Sequence, residues 1–281
     1  MSPKTAPPLN TAQLLREHGL RPNKKLGQNF LQDPAILDKI VSIAEVAATD
    51  TVLEIGPGLG SLTRHLALNA KEVVTVEIDK KIIPALRASL AGYANSNIVE
   101  ADILDVPPDS IIDSSNYLVV ANIPYYITSA ILRHLLENPP RPKRMILTIQ
   151  KEVAERICET KKMSLLALSV QVFGKPEIAG KIPAGAFYPP PNVDSAVIKI
   201  ELYDKPLIPN NQLDDFFKLA KAGFGQKRKT LRNSLSAGLH IASTDAEELL
   251  TKAEIDPRRR AETLSLDEWR ILTEVWSTNQ L

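Results

Sequence analysis

Between residues 51 and 202, short apolar runs alternate with stretches of helical periodicity, and this alternation restricts the fold more than any other feature of the chain. Apolar runs occupy 51–55, 73–76, 97–99, 117–121 and 145–149. Helical spacing appears over 61–68, 80–90, 128–136, 152–159 and 164–172. Strands this short and this apolar need cover on both faces, and crossover helices supply it. The pattern therefore predicts an α/β fold built on a parallel sheet. Two last strands, over 178–182 and 196–202, have no helix between them and are expected as an antiparallel edge.

Outside this block the signals change. Residues 1–10 are rich in Pro and polar side chains, and with a short helix over 11–19 they are expected to form a flexible tail, 1–22. Asp33-Pro34 reads as cap and first-turn proline of a helix carrying Ile36, Leu37, Ile40, Val41 and Ala44 at helical spacing. The stretch 204–211 holds two prolines and no periodicity, which predicts a linker. Beyond it the pattern is helical only, over 214–222, 230–238, 246–253 and 266–276. The expected organisation is a tail at 1–22, a sheet domain at 23–207 and a small all-helical domain at 208–281.

Composition narrows the class less. With 34 basic and 33 acidic residues, the net charge of +1 points to no partner. Cys158 is the only cysteine, so no intrachain disulfide forms, and a reducing cytoplasm is expected. The N-terminus has no apolar core of a signal peptide, and no stretch is long and apolar enough to span a bilayer. His18, His65, His134 and His240 show no ligand spacing and are read as surface or structural residues, so no metal is expected.

Four motifs carry chemistry. Glu54-Ile55-Gly56-Pro57-Gly58-Leu59-Gly60 lies between a strand and a helix. Glycines there let the backbone approach a bound nucleoside. A plain turn explains one or two glycines, but dinucleotide folds space theirs as G-x-G-x-x-G, whereas these alternate. Alternation resembles the first motif of class I methyltransferases, whose S-adenosylmethionine has no pyrophosphate to seat. Glu77 ends the next strand, 21 residues after Gly56, where a carboxylate can accept both ribose hydroxyls. Asp79 is read as the cap of the following helix. Asp102, after the third strand, can accept a hydrogen bond from an adenine amine.

Asn122-Ile123-Pro124-Tyr125 follows the fourth strand and resembles the Asn-x-Pro-Tyr signature of methyltransferases acting on exocyclic amines of nucleobases. Such an amine is a poor nucleophile because its lone pair is delocalised into the ring. The Asn122 side-chain carbonyl and the Ile123 main-chain carbonyl can hold its two hydrogens and turn the lone pair toward a methyl donor. Tyr125 can stack on the base. In the proline-rich segment 187–195, Phe187 is expected to close the base's far face.

Charge is segregated in the C-terminal part. Residues 218–233 hold Lys218, Lys221, Lys227, Arg228, Lys229 and Arg232 with no acid, and Arg258-Arg259-Arg260 forms a second basic run. A solvated helix surface accounts for some of this, yet such segregation also makes a face for RNA phosphates, with Lys227, Arg228, Lys229 and Arg232 as the contacts.

Taken together, these motifs, with the segments 26–31, 224–233 and 260–265, resemble the ribosomal RNA adenine dimethylase family over about residues 20–270. The resemblance is to its branch acting on the small subunit. It implies a Rossmann-like class I methyltransferase sheet with a helical RNA-binding domain. It also implies that Asn29, Leu31, Gly56, Gly58, Glu77, Asp102 and Asn122 line an S-adenosylmethionine pocket, with Asn122, Ile123, Pro124, Tyr125 and Phe187 at the base. Asn29 and Leu31 enter only through the resemblance. The implied substrate is two adjacent adenines in a hairpin loop near the 3′ end of 16S rRNA, within an assembling 30S subunit, and the implied state is a monomer. Rival readings are the large-subunit adenine methylase of macrolide resistance, a non-catalytic assembly factor, and an NAD oxidoreductase. The 224–233 and 260–265 segments disfavour the first, intact Glu77 and Asn122 the second, and the glycine spacing the third.

Overall fold

The structure is a computed structural model that describes residues 4–279. In chain order its elements begin α1 (Thr11–Glu17), β1 (Phe30–Leu31), α2 (Pro34–Ala44), β2 (Thr51–Ile55), α3 (Ser61–Ala67), β3 (Glu72–Glu77) and α4 (Ile83–Leu90). They continue β4 (Ser96–Glu100), β5 (Tyr117–Asn122), α5 (Thr128–Glu137), β6 (Arg144–Gln150), α6 (Lys151–Cys158) and α7 (Leu165–Gln171). The strands β7 (Gly174–Ile182), β8 (Phe187–Tyr188) and β9 (Ser195–Leu202) precede the helices α8 (Leu213–Phe224), α9 (Leu231–Leu239), α10 (Ser243–Lys252) and α11 (Leu266–Asn279).

Seven strands form one sheet in the order β4-β3-β2-β5-β6-β9-β7. β2 pairs in parallel with both β3 and β5, and β5 in parallel with β6. β9 runs antiparallel to β6, with Ile146 opposite Lys199, and β7 lies beyond it as the expected edge. The chain steps outward from β2 through β3 to β4, then returns to the other side of β2 with β5. The carboxyl ends of β2 and β5 thus flank a topological switch point, where open α/β sheets bind ligands. β2, β3, β5 and β6 are buried almost throughout, as their unbroken apolar runs require.

Helix α2 shows how local signals set this frame. The Asp33 carboxylate accepts the N–H groups of Ala35 and Ile36, Pro34 opens the first turn, and Glu45 ends the helix at φ 51°. Its buried Leu37, Ile40, Val41 and Ala44 pack with Val52, Leu66, Val120 and Ile146 in one core cluster. Each large aliphatic side chain buried this way contributes about 1.5–3 kcal/mol. His65, fully within this layer, bonds Asp38 through Nδ1 at 2.8 Å.

Three expectations are corrected here. The tail is not free from Lys4 onward: the Lys4 N–H donates to Asn69 Oδ1 at 2.8 Å, and Asn69 Nδ2 donates back to the Lys4 carbonyl at 2.9 Å. Leu15 of α1 is buried with Phe30, Leu59 and Ile82. Apolar burial of Ala6 and Leu15 outweighs the polar composition that pointed to a tail; residues 1–3 lie outside the described residues. Next, no strand is predicted over 24–31 or 187–195, yet β1 and β8 pair antiparallel, Phe30 opposite Tyr188 and Leu31 opposite Phe187. Two residues per strand are too few to show a period in sequence.

The third correction concerns the boundary. One compact unit comprises the residues up to Ala154 with Glu177–Leu202; the other joins Glu155–Pro176 to the residues from Tyr203 onward. A single cut at 207/208 therefore misses a segment. In the second unit the Met163 N–H donates to the Glu262 carbonyl at 2.9 Å, the Tyr203 N–H to the Phe173 carbonyl at 2.9 Å, and Phe173 stacks on Phe217. Its core centres on fully buried Trp269, which stacks on Phe224. Gly223 makes room for that indole, since a Cβ there would lie 2.6 Å from the ring.

Candidate active site

Four adjacent strand ends converge on one cleft in the first unit. β2 delivers the glycine loop, β3 Glu77, the turn after β4 Asp102, and β5 Asn122; all line the cleft, together with Asn29, Leu31, Ile123, Pro124 and Tyr125. The sheet places these residues together because parallel strands in register end at one edge.

Gly56, Gly58 and Gly60 adopt φ of 68°, 58° and 84°, so the alternation of glycines is an alternation of left-handed residues. Gly58 has a second reason to lack a side chain: a Cβ there would stand 2.9 Å from the Phe30 ring. Its N–H donates to Glu77 Oε2 at 3.1 Å, and the Asp79 N–H donates to Glu77 Oε1 at 2.9 Å. Glu77 is only 5% exposed, and burial pushes its carboxyl above the ordinary range. Each of its oxygens keeps a lone pair for a further donor, which suits a ribose diol. Glu54 lies deeper. Burial, with negative Glu77 nearby, pushes its carboxyl up to about 8, and its Oε2 has no hydrogen-bond partner. Asp102 is held by the Leu104 N–H, which donates to Oδ1 at 2.9 Å.

Asn122 is oriented by a contact that its local sequence does not announce. Its Nδ2 donates to the Asn29 main-chain carbonyl at 3.1 Å. That carbonyl can only accept, so the Asn122 amide is turned with Oδ1 away from it and open to a donor. The Ile123 carbonyl has no hydrogen-bond partner among the described residues. Two acceptors thus stand side by side at the switch point. Tyr125, half-buried, shares a 2.6 Å hydrogen bond with Ser195 Oγ, and burial pushes its phenol up, which keeps it neutral. That bond tethers the ring in the cleft that Asn122 also lines.

The segment before β1 closes the cleft and is pinned at several points. Gln28 Nε2 donates to Asp79 Oδ2 at 2.8 Å, Asn29 Nδ2 to the Gly27 carbonyl at 3.1 Å, and β1 pairs with β8. Asp79 does not cap α4, which starts at Ile83 with Ile82 at its cap and no side-chain cap bond; it accepts the Lys81 N–H in the turn ahead of the helix while holding Gln28. Residue-level reading missed Gln28, Asp79 as its partner, and Ser195. These contacts span 51 to 93 residues of chain, and nothing local signals them.

Phe187 is the site residue that the structure does not bring to the cleft. It is 2% exposed, inside the cluster of Leu31, Leu37, Val41 and Ile182, and offers no free face to a base. Strand alternation is the cause: β8 turns Phe187 inward and Tyr188 outward.

In the second unit, Lys227, Arg228 and Lys229 form an exposed turn between α8 and α9. Arg232 does not join them freely, since its Nη1 pairs with Glu247 at 2.9 Å. Arg258 pairs with Asp256, and Arg259 with Glu268, so the second basic run is largely neutralised within the chain. Folding brings α10 to Arg232 and α11 to Arg259, whereas Arg258 pairs with the acid two residues before it.

Comparison with known proteins agrees with this geometry. The sequence profile of the ribosomal RNA adenine dimethylase family matches residues 19–274. A protein of Dehalococcoides mccartyi named ribosomal RNA small subunit methyltransferase A is 45% identical, over 95% of this chain and 92% of its own. One of the same name from Enterococcus faecalis is 41% identical, over 98% and 97%. Among solved structures, a dimethyladenosine transferase from Plasmodium falciparum superposes with a TM-score of 0.76 at 26% identity, covering 90% of this chain and 98% of that one. The 23S rRNA methyltransferase ErmE superposes at 0.70 and 29% identity, covering 89% and 100%. Matched along nearly its whole length, and carrying paired acceptors beside a tethered tyrosine at the switch point, the chain belongs to the ribosomal RNA adenine dimethylase family.

Proposed function

We propose that this protein transfers methyl groups from S-adenosylmethionine to the N6 amines of two adjacent adenosines, in a hairpin loop near the 3′ end of 16S rRNA, giving N6,N6-dimethyladenosine. It acts as a monomer in the cytoplasm, on assembling 30S particles. The observation that carries the reading is the Asn122 amide, locked by the Asn29 carbonyl with its oxygen free beside the unpaired Ile123 carbonyl.

S-adenosylmethionine supplies an electrophilic methyl group already attached to a cationic sulfur. Residues of this chain fit it without a metal or a phosphate seat. Glu77 offers two backbone-held oxygens to a ribose diol, Asp102 an acceptor to the adenine amine, and the left-handed glycines a backbone free of Cβ atoms. Asn122 Oδ1 and the Ile123 carbonyl accept the hydrogens of the target amine, which directs its lone pair into the cleft. Tyr125, fixed through Ser195, provides a stacking face for the base. Attack by the neutral amine would form the N–C bond as the S–CH3 bond breaks, moving the positive charge from sulfur to nitrogen. The neutral thioether S-adenosylhomocysteine would leave, and the methylated amine would give up one proton to water. With no new net charge created, positioning and desolvation supply most of the rate. After one transfer the amine retains one hydrogen for one acceptor; after two it retains none, which favours release of the dimethylated base. Lys227, Arg228 and Lys229 serve the RNA backbone.

The names of the 45% and 41% identical relatives support the small subunit as substrate over the large one that ErmE is named for. The test is mass spectrometry of adenines after incubating the protein with labelled S-adenosylmethionine and, separately, immature small and large subunits. Dimethyladenine at two neighbouring positions of the small-subunit RNA is expected, with monomethyladenine transient. Monomethyladenine as sole product at saturating donor, or label only in the large subunit, would overturn the reading.

A further inference from the structure

The cleft has a second aromatic that the proposed reaction does not use. Tyr126 follows Tyr125 in the same short helical turn, Tyr125–Ile127, yet the two rings have opposite fates. Tyr125 is half-buried and tied to Ser195, whereas Tyr126 is 60% exposed, the most exposed of the large apolar side chains among the described residues. It nevertheless lines the cleft, so it stands at the rim.

One side of its ring is seated. A Cβ on Gly27 would lie 3.3 Å from Tyr126 Cδ1 and 3.4 Å from Cε1, so the ring rests against bare backbone. Gly27 is at φ 62°, and its N–H donates to the Lys24 carbonyl at 3.1 Å, closing a tight turn. That turn presents Lys24 and Lys25, both exposed and without an acidic partner among the described residues. A flat aromatic surface held from behind, with unneutralised cations two and three residues along the adjoining turn, matches the needs of single-stranded RNA: a face for a base and charge for its phosphates.

We propose that Tyr126, Lys24 and Lys25 form a second-nucleotide subsite, in which Tyr126 stacks on the base next to the one held at Asn122. This rests on the reading of the cleft as an RNA adenine site. It assigns Tyr126 the selection and retention of a neighbouring base rather than methyl transfer. With two adjacent adenines as targets, one base occupies the inner position while the other rests on the rim.

Stacking of one base on an aromatic side chain has the weight of about a tenfold change in affinity or more. Tyr126→Leu should raise KM for small-subunit particles about tenfold, leave donor affinity unchanged, and leave the melting temperature near that of the parent. Tyr126→Phe and Tyr126→Trp should restore KM, because they keep the stacking face. Unchanged KM in Tyr126→Leu, or a Phe variant as poor as the Leu variant, overturns the subsite. A binding measurement keeps the test independent of turnover and of that variant's folding. A hairpin RNA carrying 2-aminopurine beside the target adenine should lose fluorescence when bound by the parent and the Phe variant, and Lys24→Ala/Lys25→Ala should bind it about tenfold more weakly at low salt. A bound probe with unquenched fluorescence in the parent counts against the subsite. Quenching that depends on Tyr126 without any methyl transfer would keep the subsite and remove the proposed function. Normal dimethylation with KM indifferent to Tyr126 would do the reverse.

Discussion

Asn122 and Glu54 sit on neighbouring strands, and the fold treats their polar atoms in opposite ways. Asn122 has one end satisfied and one end open, which is what an orienting acceptor needs. Asn122→Ala is expected to reduce kcat on small-subunit particles about 100-fold or more while changing donor affinity less than tenfold, because it removes an orienting contact rather than bulk binding. Single-turnover kinetics beside calorimetry would show it, and near-normal turnover would remove Asn122 from the mechanism. Glu54 is buried with an unpaired oxygen, and its pKa rises from 4.5 to about 8. Between those values the unfolded carboxyl ionises while the folded one stays protonated, so the native state binds more protons and stability falls as pH rises. The contribution is fully present below about 4.5 and lost through about 8. Glu54→Gln, a neutral isostere, should match the parent near pH 4.5 and exceed it by about 1–3 kcal/mol at pH 8. Urea unfolding across that range reads the gap; a gap that does not grow with pH would place the burden elsewhere.

At the scale of elements, the two-residue ladder of β1 with β8 and the glycine loop after β2 depend on each other through Phe30 and Gly58. Phe30 occupies the space that a Gly58 Cβ would need, and Gly58 hands its N–H to Glu77. Gly58→Ala combines a φ of 58° with a 2.9 Å clash against a ring, so it should destabilise the protein by about 1–3 kcal/mol and weaken donor binding as well. Gly92→Ala, where a Cβ meets nothing within 4 Å and φ is not left-handed, is the matched control and should be tolerated. Thermal melts and calorimetry on both variants decide the matter, and equal behaviour would show that the loop yields at little cost. The same pairing explains why Phe187 lies in the core. Its place in a proline-rich segment points to a ring that closes the far face of a base, while antiparallel pairing with Leu31 turns it into the core and leaves Tyr188 facing out.

At the scale of the whole molecule, the second unit carries the exposed basic turn Lys227-Arg228-Lys229, and the pairing of Arg232 with Glu247 leaves that turn as its main phosphate-binding candidate. Replacing all three with Ala should weaken binding to small-subunit particles and reduce the salt slope by roughly 0.7 per lost contact for single-stranded RNA, with donor affinity unchanged. Adding Arg232→Ala should change the slope little. An identical slope in the triple variant would assign the phosphates to other residues. By itself the sequence determined the order of the longer strands and helices, the parallel core and the helical C-terminal part, because apolar periodicity and caps such as Asp33-Pro34 act within a few residues. It also marked Gly56, Glu77, Asp102 and Asn122, since each ends a strand or follows one within two residues, and strand ends are local features. Tertiary structure alone decided that the Asn29 carbonyl orients Asn122, that Ser195 tethers Tyr125, that Phe187 is core, and that Glu155–Pro176 joins the helical unit. Each depends on partners tens of residues away, and the physical reason is common to all: a hydrogen bond or a buried contact across the chain leaves no periodic trace in either of the segments that make it.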